Sequence, residues 1–177
     1  MDILEIKDLE KLAQKKVPKM FFDYVNSGSW TETTYQENIT DFSQIKLRQR
    51  IAVNMSNRKL QSKMAGINVS MPVALAPTGL TGMQYADGEI LAAQAAEEFG
   101  VPFTLSTMSV CSIEEVAKHT KKPFWFQLYV MRDKKFMARL IDRAKQAGCS
   151  ALVLTLDLQI MGQRHKDIQN GLSTPPK

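Results

Sequence analysis

Residues 124–157 read FWFQLYVMRDKKFMARLIDRAKQAGCSALVLTLD. A continuous apolar run over 124–129 opens the stretch, and a second over 151–156 nearly closes it. Between them Phe136, Met137, Leu140, Ile141 and Ala144 recur three and four residues apart, the spacing of one helix face. Gly148 stands just past that stripe, where a helix stops. Strand, helix and strand in this order form a βαβ unit, and the crossover helix makes the two strands parallel.

The same order repeats towards the N-terminus. The run at 101–105 leads into Ser106-Thr107-Met108 and a helix opened by Ser112-Ile113-Glu114-Glu115, which has capping-box spacing. The run at 73–76 is followed by Pro77-Thr78-Gly79 and a helix over 86–99, capped by Asp87 or a close neighbour and ended by Gly100. The pattern is βαβαβαβ, with strands about 22 to 30 residues apart. Short continuous apolar strands predict a parallel sheet covered by helices. Four strands and three crossover helices fit a small doubly wound sheet, or equally the first half of an α/β barrel.

The first 60 or so residues differ in character. Ile6, Leu9, Leu12 and Ala13 form a helical stripe, and a second helix is predicted over 18–26 with Pro18 as its first residue, ended by Ser27-Gly28-Ser29. Residues 31–60 are polar and weakly periodic, read as short helices and an extended stretch through Ile51-Ala52-Val53. From 159 to 177 no further strand or long apolar helix is predicted.

Composition narrows the function classes. With 177 residues, 44% hydrophobic, 23% charged, 9 Gly and 7 Pro, the chain reads as a globular protein. A complete eight-stranded barrel takes about 250 residues, so a barrel reading requires an incomplete one. Cys111, Cys149, His119 and His165 form no metal-ligand cluster, and the thiols read as reduced in a cytosolic protein. The net charge of +5 is dispersed, and its densest stretch (46–63) lacks aromatics, so nucleic acid is not an expected partner. A solvated surface is the main reading, with attraction to an anionic membrane as the lesser one. No apolar run approaches the roughly 20 residues that span a bilayer. Asp2, Glu5, Asp8 and Glu10 make the start unlike a signal or transit peptide.

Each strand ends in polar residues: Pro77-Thr78-Gly79, Ser106, Gln127 with Tyr129, and Thr155 with Asp157. Parallel strands bring these ends together at the edge where α/β proteins bind ligands. Taken singly, Ser and Thr read as helix caps and Gln127 as a satisfied buried amide. Four successive strand ends with one habit point to a polar pocket, without saying for which ligand. No GxGxxG, phosphate loop or GxSxG elbow is present, and Gly79-Leu80-Thr81-Gly82 reads as turn glycines.

Together, Phe21-Phe22-Asp23-Tyr24 with Ser27-Gly28, Ala76-Pro77-Thr78-Gly79, Leu105-Ser106-Thr107, Phe126-Gln127-Leu128-Tyr129 and Leu154-Thr155-Leu156-Asp157 through Gly162-x-Arg164 resemble the FMN-dependent L-2-hydroxy acid dehydrogenases and oxidases. The match runs along essentially the whole chain. The run from Ser106 to Glu115 looks closest to the bacterial respiratory L-lactate dehydrogenases. The resemblance implies the first half of a (β/α)8 TIM barrel: an N-terminal helical extension over 1–70, then a partial FMN-binding barrel over 71–177 that stops in the loop after the fourth strand.

It also implies roles. Ser106, Gln127 and Thr155 would bond the polar edge of the isoalloxazine, and backbone around Pro77, Thr78 and Gly79 would approach its N5 side. Tyr24 and Arg164 would hold the substrate carboxylate, the guanidinium as a planar fork. Tyr129 would bond the substrate's hydroxyl or carboxylate end, and Asp157 would orient a histidine base. Without the family pattern, Tyr24 reads as an anchor of the extension and Arg164 as a loop residue. His165, Lys166 and Asp167 read as exposed loop residues.

Two positions depart from the family. Met108 stands where oxidases often carry a bulky aromatic, which disfavours an oxidase, the alternative activity. Gln159 stands where a loop-restricting proline is common, which loosens the placement of Arg164. The family's base histidine, flavin-contacting lysine, second arginine and phosphate loops belong to later strands, and its membrane insertion to the connection after the fourth. The expectation is therefore oxidation of L-lactate or a related L-2-hydroxy acid by the family, with a quinone-type acceptor, from a truncated or split chain inactive alone. The other reading is a non-catalytic half-barrel that assembles with a C-terminal half or with itself. The expected location is cytoplasmic, peripheral on the inner membrane face at most.

Overall fold

A computed structural model describes residues 2–160 and 162–172. Its internal contacts divide them into one unit of residues up to 57 together with 160 onward, and a second spanning 58–159.

The second unit opens with a hairpin, β1 (Ser62–Met64) and β2 (Ile67–Val69), paired antiparallel. A one-turn helix α1 (Thr81–Gln84) precedes α2 (Gly88–Phe99). Then come β3 (Thr104–Leu105), α3 (Ile113–His119), β4 (Trp125–Tyr129), α4 (Lys134–Gln146) and β5 (Ala151–Thr155). The strands β3, β4 and β5 lie side by side and parallel, as the βαβ pattern predicts.

The first predicted strand is reduced to a single parallel bridge between Leu75 and Phe103. Leu75 N donates to the Pro102 carbonyl at 2.9 Å and Thr104 N to the Leu75 carbonyl at 3.2 Å. Pro72 and Pro77 flank this run; proline brings no N–H and restricts the residue before it, so the ladder is short.

Alternation along the strands sorts the sheet into two faces. Register places Leu105 beside Phe126 and Phe126 beside Leu152. Leu105, Phe126 and Leu128 point towards the helices and are buried with Ile90, Ala93 and Ala96 of α2, Ile113 and Val116 of α3, and Leu140 and Ala144 of α4. On the same face of β5, Leu152 and Leu154 are 46% and 48% exposed, and β5 pairs with no strand beyond β4 among the described residues.

Local signals set the helix ends. Ser112 Oγ accepts from Glu115 N at 3.2 Å while Glu115 Oε2 accepts from Ser112 N at 2.7 Å, the reciprocal cap predicted there. Asp133 caps α4 through Phe136 N at 3.0 Å, and past its last residue Gly148 takes φ +79°, a conformation costly for any side chain. Asp87 stands at the cap of α2 as predicted, but in a left-handed conformation with no capping bond from its side chain.

The other unit contains α5 (Ile6–Lys16), α6 (Lys19–Val25), α7 (Thr33–Thr40), a 3₁₀ turn (Asp41–Gln44) and α8 (His165–Gln169). Pro18 is the residue before α6, one position earlier than predicted. Residues 51–53 lie in no strand, and the short α8 was not predicted. Among the described residues no helix is long and apolar enough to cross a membrane.

Candidate functional site

The carboxyl ends of β3, β4 and β5 bring three of the predicted residues into one hydrogen-bonded group. Ser106 follows β3, Gln127 is central in β4 and Thr155 is the last residue of β5. All three lie on the sheet face opposite the helices. Gln127, 1% exposed, has both ends of its amide engaged. Its Oε1 accepts from Thr107 N at 3.1 Å and from Ser106 Oγ at 3.4 Å, and its Nε2 donates to Thr155 Oγ1 at 2.8 Å. Ser106 Oγ in turn accepts from Met108 N at 3.0 Å, and Thr107 Oγ1 donates to the Gln127 carbonyl. The hydroxyl proton of half-buried Thr155 and the second amide proton of Gln127 have no acceptor among the described residues. Two donors on one strand-end edge suit carbonyl and imine acceptors such as those on the polar edge of an isoalloxazine, so the residues present fit a flavin. Ser106 and Gln127 are nearly covered, which leaves Thr155 as the member at the surface.

Tyr129, half-buried at the end of β4, stands in register with Thr155. Asp157 is exposed two residues beyond β5, with no hydrogen-bond partner among the described residues. Pro77 and Thr78 are exposed and Gly79 half-buried, in the loop after the Leu75 bridge. Leu80, at φ +57°, donates its N–H to the Met108 carbonyl at 2.9 Å, tying this loop to the one after β3.

In the other unit, Tyr24 and Arg164 are brought together. The Arg164 guanidinium lies over the Tyr24 ring, 4.7 Å from its centroid. Its Nη2 donates to the Tyr24 carbonyl, to the Ser27 carbonyl at 3.2 Å and to Ser27 Oγ at 3.3 Å. Its Nε is ion-paired with Asp167 Oδ2 at 3.0 Å. Asp167 is 3% exposed, which corrects the reading of it as a solvated charge: it faces inward from α8 onto Arg164. Burial pushes its carboxyl up, against the pull of Arg164. Nearby, Lys19 and then Asn170, which donates to Asp23 Oδ2 at 2.7 Å, hold the buried Asp23 carboxyl below its usual range. His165 is exposed, with Nε2 3.2 Å from Gln163 Oε1 and its ring edge-on to Trp30.

One buried acidic residue escaped the sequence reading. Glu89, 1% exposed at the start of α2, accepts from Val110 N at 2.9 Å. An acidic residue in a first helical turn reads as a dipole partner, and nothing in its neighbours marks it as buried. Among the described residues no group of three or more His, Cys, Asp or Glu is placed to hold a metal.

Comparison with known proteins assigns this architecture. Residues 13–177 match the model of the FMN-dependent dehydrogenase family. The L-lactate dehydrogenase of Acinetobacter baumannii is 49% identical over 168 residues, covering 95% of this chain and 44% of the relative. That of Acinetobacter baylyi is 47% identical over 175 residues, covering 99% and 46%. Among solved structures, a soluble mutant of the membrane-associated (S)-mandelate dehydrogenase from Pseudomonas putida superposes with a TM-score of 0.92 at 36% identity, over 99% of this chain and 50% of that one. The chain belongs to the FMN-dependent dehydrogenase family, and its strands and helices are those of part of an α/β barrel. It spans about half the length of the relatives it matches.

Proposed function

We propose that this chain supplies the flavin-facing edge and part of the substrate site of an FMN-dependent dehydrogenase that oxidises L-lactate, or a related L-2-hydroxy acid, to the 2-oxo acid. The observation that carries this is the Ser106–Gln127–Thr155 group at the strand ends of a chain 49% identical to an L-lactate dehydrogenase. When bound, FMN supplies the two-electron acceptor for the α-hydrogen of the substrate. In this reading Thr155 and Gln127 donate to the flavin's polar edge while Ser106 holds the Gln127 amide in place. Pro77, Thr78 and Gly79 offer backbone to its N5 side. Tyr24 and Arg164 bind the substrate carboxylate, and Tyr129 bonds its hydroxyl or carboxylate end. Asp157 orients a histidine base. His119 ends α3, at the opposite end of the sheet from Thr155, and His165 is engaged with Gln163, so neither takes that role. A positioned base is worth about 10²–10⁴-fold, and these 177 residues alone are expected not to turn over.

Flavin fluorescence tests the reading. Titrating FMN with the chain should quench its emission, and the T155V variant should bind more weakly at unchanged helix content. Equal binding by both would overturn the assignment.

A second reading is favoured by the unpaired edge of β5 with Leu152 and Leu154 half-exposed: the chain is an assembly half whose partner is a separate polypeptide carrying the remaining strands. Mixing with such a polypeptide should then restore lactate-dependent dye reduction, with a quinone-type acceptor completing the cycle. Persistence of the chain as a folded monomer that ignores that polypeptide would exclude this reading. The proposed location is cytoplasmic, against the inner membrane face at most; one neighbour is a monotopic membrane (S)-mandelate dehydrogenase.

A further inference from the structure

Two segments carry residues assigned above to the flavin site: residues 76–87, which include α1 and precede α2, and residues 106–112, between β3 and α3. They meet at the buried side chain of Glu89. Glu89, in the first turn of α2, places Oε1 on Val110 N of the second loop at 2.9 Å. Gly82 of the first loop closes against the same spot: a Cβ there would stand 2.7 Å from Val110 Cβ and 2.9 Å from Glu89 Oε2. Leu80 N also donates across the gap, to the Met108 carbonyl at 2.9 Å.

We propose that Glu89 is a positioning residue that sets the spacing between the Pro77–Thr78–Gly79 backbone and the Ser106–Thr107–Met108 backbone. Its relevance to FMN rests on the reading of those segments as the flavin bed. A carboxylate is a costly way to fill a buried gap, and an apolar side chain of similar volume would pack at least as well. What the carboxylate adds is a directed acceptor. It takes the Val110 N–H, which a leucine would leave without this partner. Burial alone would raise the Glu89 pKa, but the N–H groups of Val110, Gly82 and Glu89 itself, with the Cys111 thiol, bring it below the usual range. Glu89 thus binds the second loop through Oε1 and Val110 N, while its Oε2 lies buried against Gly82 of the first. The start of α2 favours negative charge in the same place.

The test compares the wild-type chain with E89Q, E89L and G82A. Readouts are amide exchange at Val110 and Leu80, FMN affinity by fluorescence, and the thermal midpoint. Leu80 is informative because its N–H bonds to the Met108 carbonyl rather than to Glu89 or Val110, and so reports on the spacing of the two segments. E89Q keeps an acceptor and should retain protection at both amides, with FMN affinity within about threefold of wild type. E89L should lose protection at Leu80 as well as Val110 and bind FMN about tenfold more weakly, the effect of one buried hydrogen bond lost. G82A forces the loops apart with Glu89 intact and should reproduce the loss at Leu80, so the inference stays testable if E89L does not fold. Unchanged Leu80 exchange in E89L and G82A, with only a lower melting point, would overturn the inference whatever FMN does. Loss of Leu80 protection in a chain whose wild type does not bind FMN would refute the flavin-bed reading and leave the loop spacing standing.

Discussion

The Arg164 guanidinium lies over the ring of Tyr24, and the two are joined again where it donates to the Tyr24 carbonyl. Arg164 thus joins residues 162–172 to α6 and the loop after it through stacking and carbonyl acceptors, is braced by Asp167, and works beside the Asn170–Asp23 bond. The residue proposed to meet a substrate carboxylate is also the rivet of its segment. Arg164 has donors to spare for both: a guanidinium carries five N–H groups in a rigid fork.

R164A should therefore loosen the segment. Charge-assisted bonds of this kind contribute roughly 2 kcal/mol. Cleavage by trypsin after Lys166 should accelerate by about tenfold or more, provided opening equilibrates faster than cutting. Limited proteolysis read by mass spectrometry decides it, and an unchanged rate would show that the segment is held elsewhere.

Q127L should cost stability as well as flavin. It leaves Thr107 N, Ser106 Oγ and Thr155 Oγ1 without their shared partner, a loss of about 1–3 kcal/mol. The urea midpoint should fall and FMN quenching should disappear. T155V removes only the outermost hydroxyl and should weaken FMN with a much smaller shift in midpoint.

Both thiols should be slow nucleophiles. Burial pushes Cys111 up to about 11, helped by the Glu89 carboxylate, and burial pushes Cys149 up to about 11 as well. At pH 8 the thiolate fraction is small, so reaction with a disulfide reagent should be slow in buffer and fast in urea. Rapid labelling of the folded chain would contradict this burial.

Acid should weaken the contact between α3 and α4. Arg143 donates to both oxygens of Glu114 at 2.7 Å and holds its carboxyl down to about 2. The native pKa lies below the unfolded one, so the stabilisation is present above about pH 4.5 and is lost as pH falls towards 2. Both side chains are about half exposed, and solvent screening keeps the pair to about 1 kcal/mol or less. E114Q should lose this contribution at pH 7, flatten the stability profile below pH 4.5 and match the wild type near pH 2.

Much of this was readable from residue order. The stripe in α4, the cap at Ser112 and Glu115, and the runs that became β4 and β5 each carry their own local signal. The grouping of Ser106, Gln127 and Thr155 was equally readable, because parallel strands must bring their ends together. The hairpin at 62–69 was not. Its strands are three residues long, and Gly66 is the one ordinary turn former in its Ala65-Gly66 turn, with Ala65 itself at φ +44°. Leu75 was over-read as a strand because an apolar run does not show what its flanking prolines remove. Glu89 and Asp167 look like ordinary surface acids, since their burial depends on loops remote in sequence.

The β4–β5 register has a consequence beyond the site. Phe126 and Leu128 stand beside Leu152 and Leu154 on the helix face, while Gln127 stands beside Val153 and reaches Thr155. A slip of β5 by one residue would reverse its faces. Leucine would then meet the Gln127 amide, and the threonine hydroxyl would turn into the apolar layer. The strands' backbone bonds tolerate either alignment, but the amide accepts only one. Gln127 thus works as an alignment key for the sheet, rejecting the misfold that apolar packing alone would penalise least.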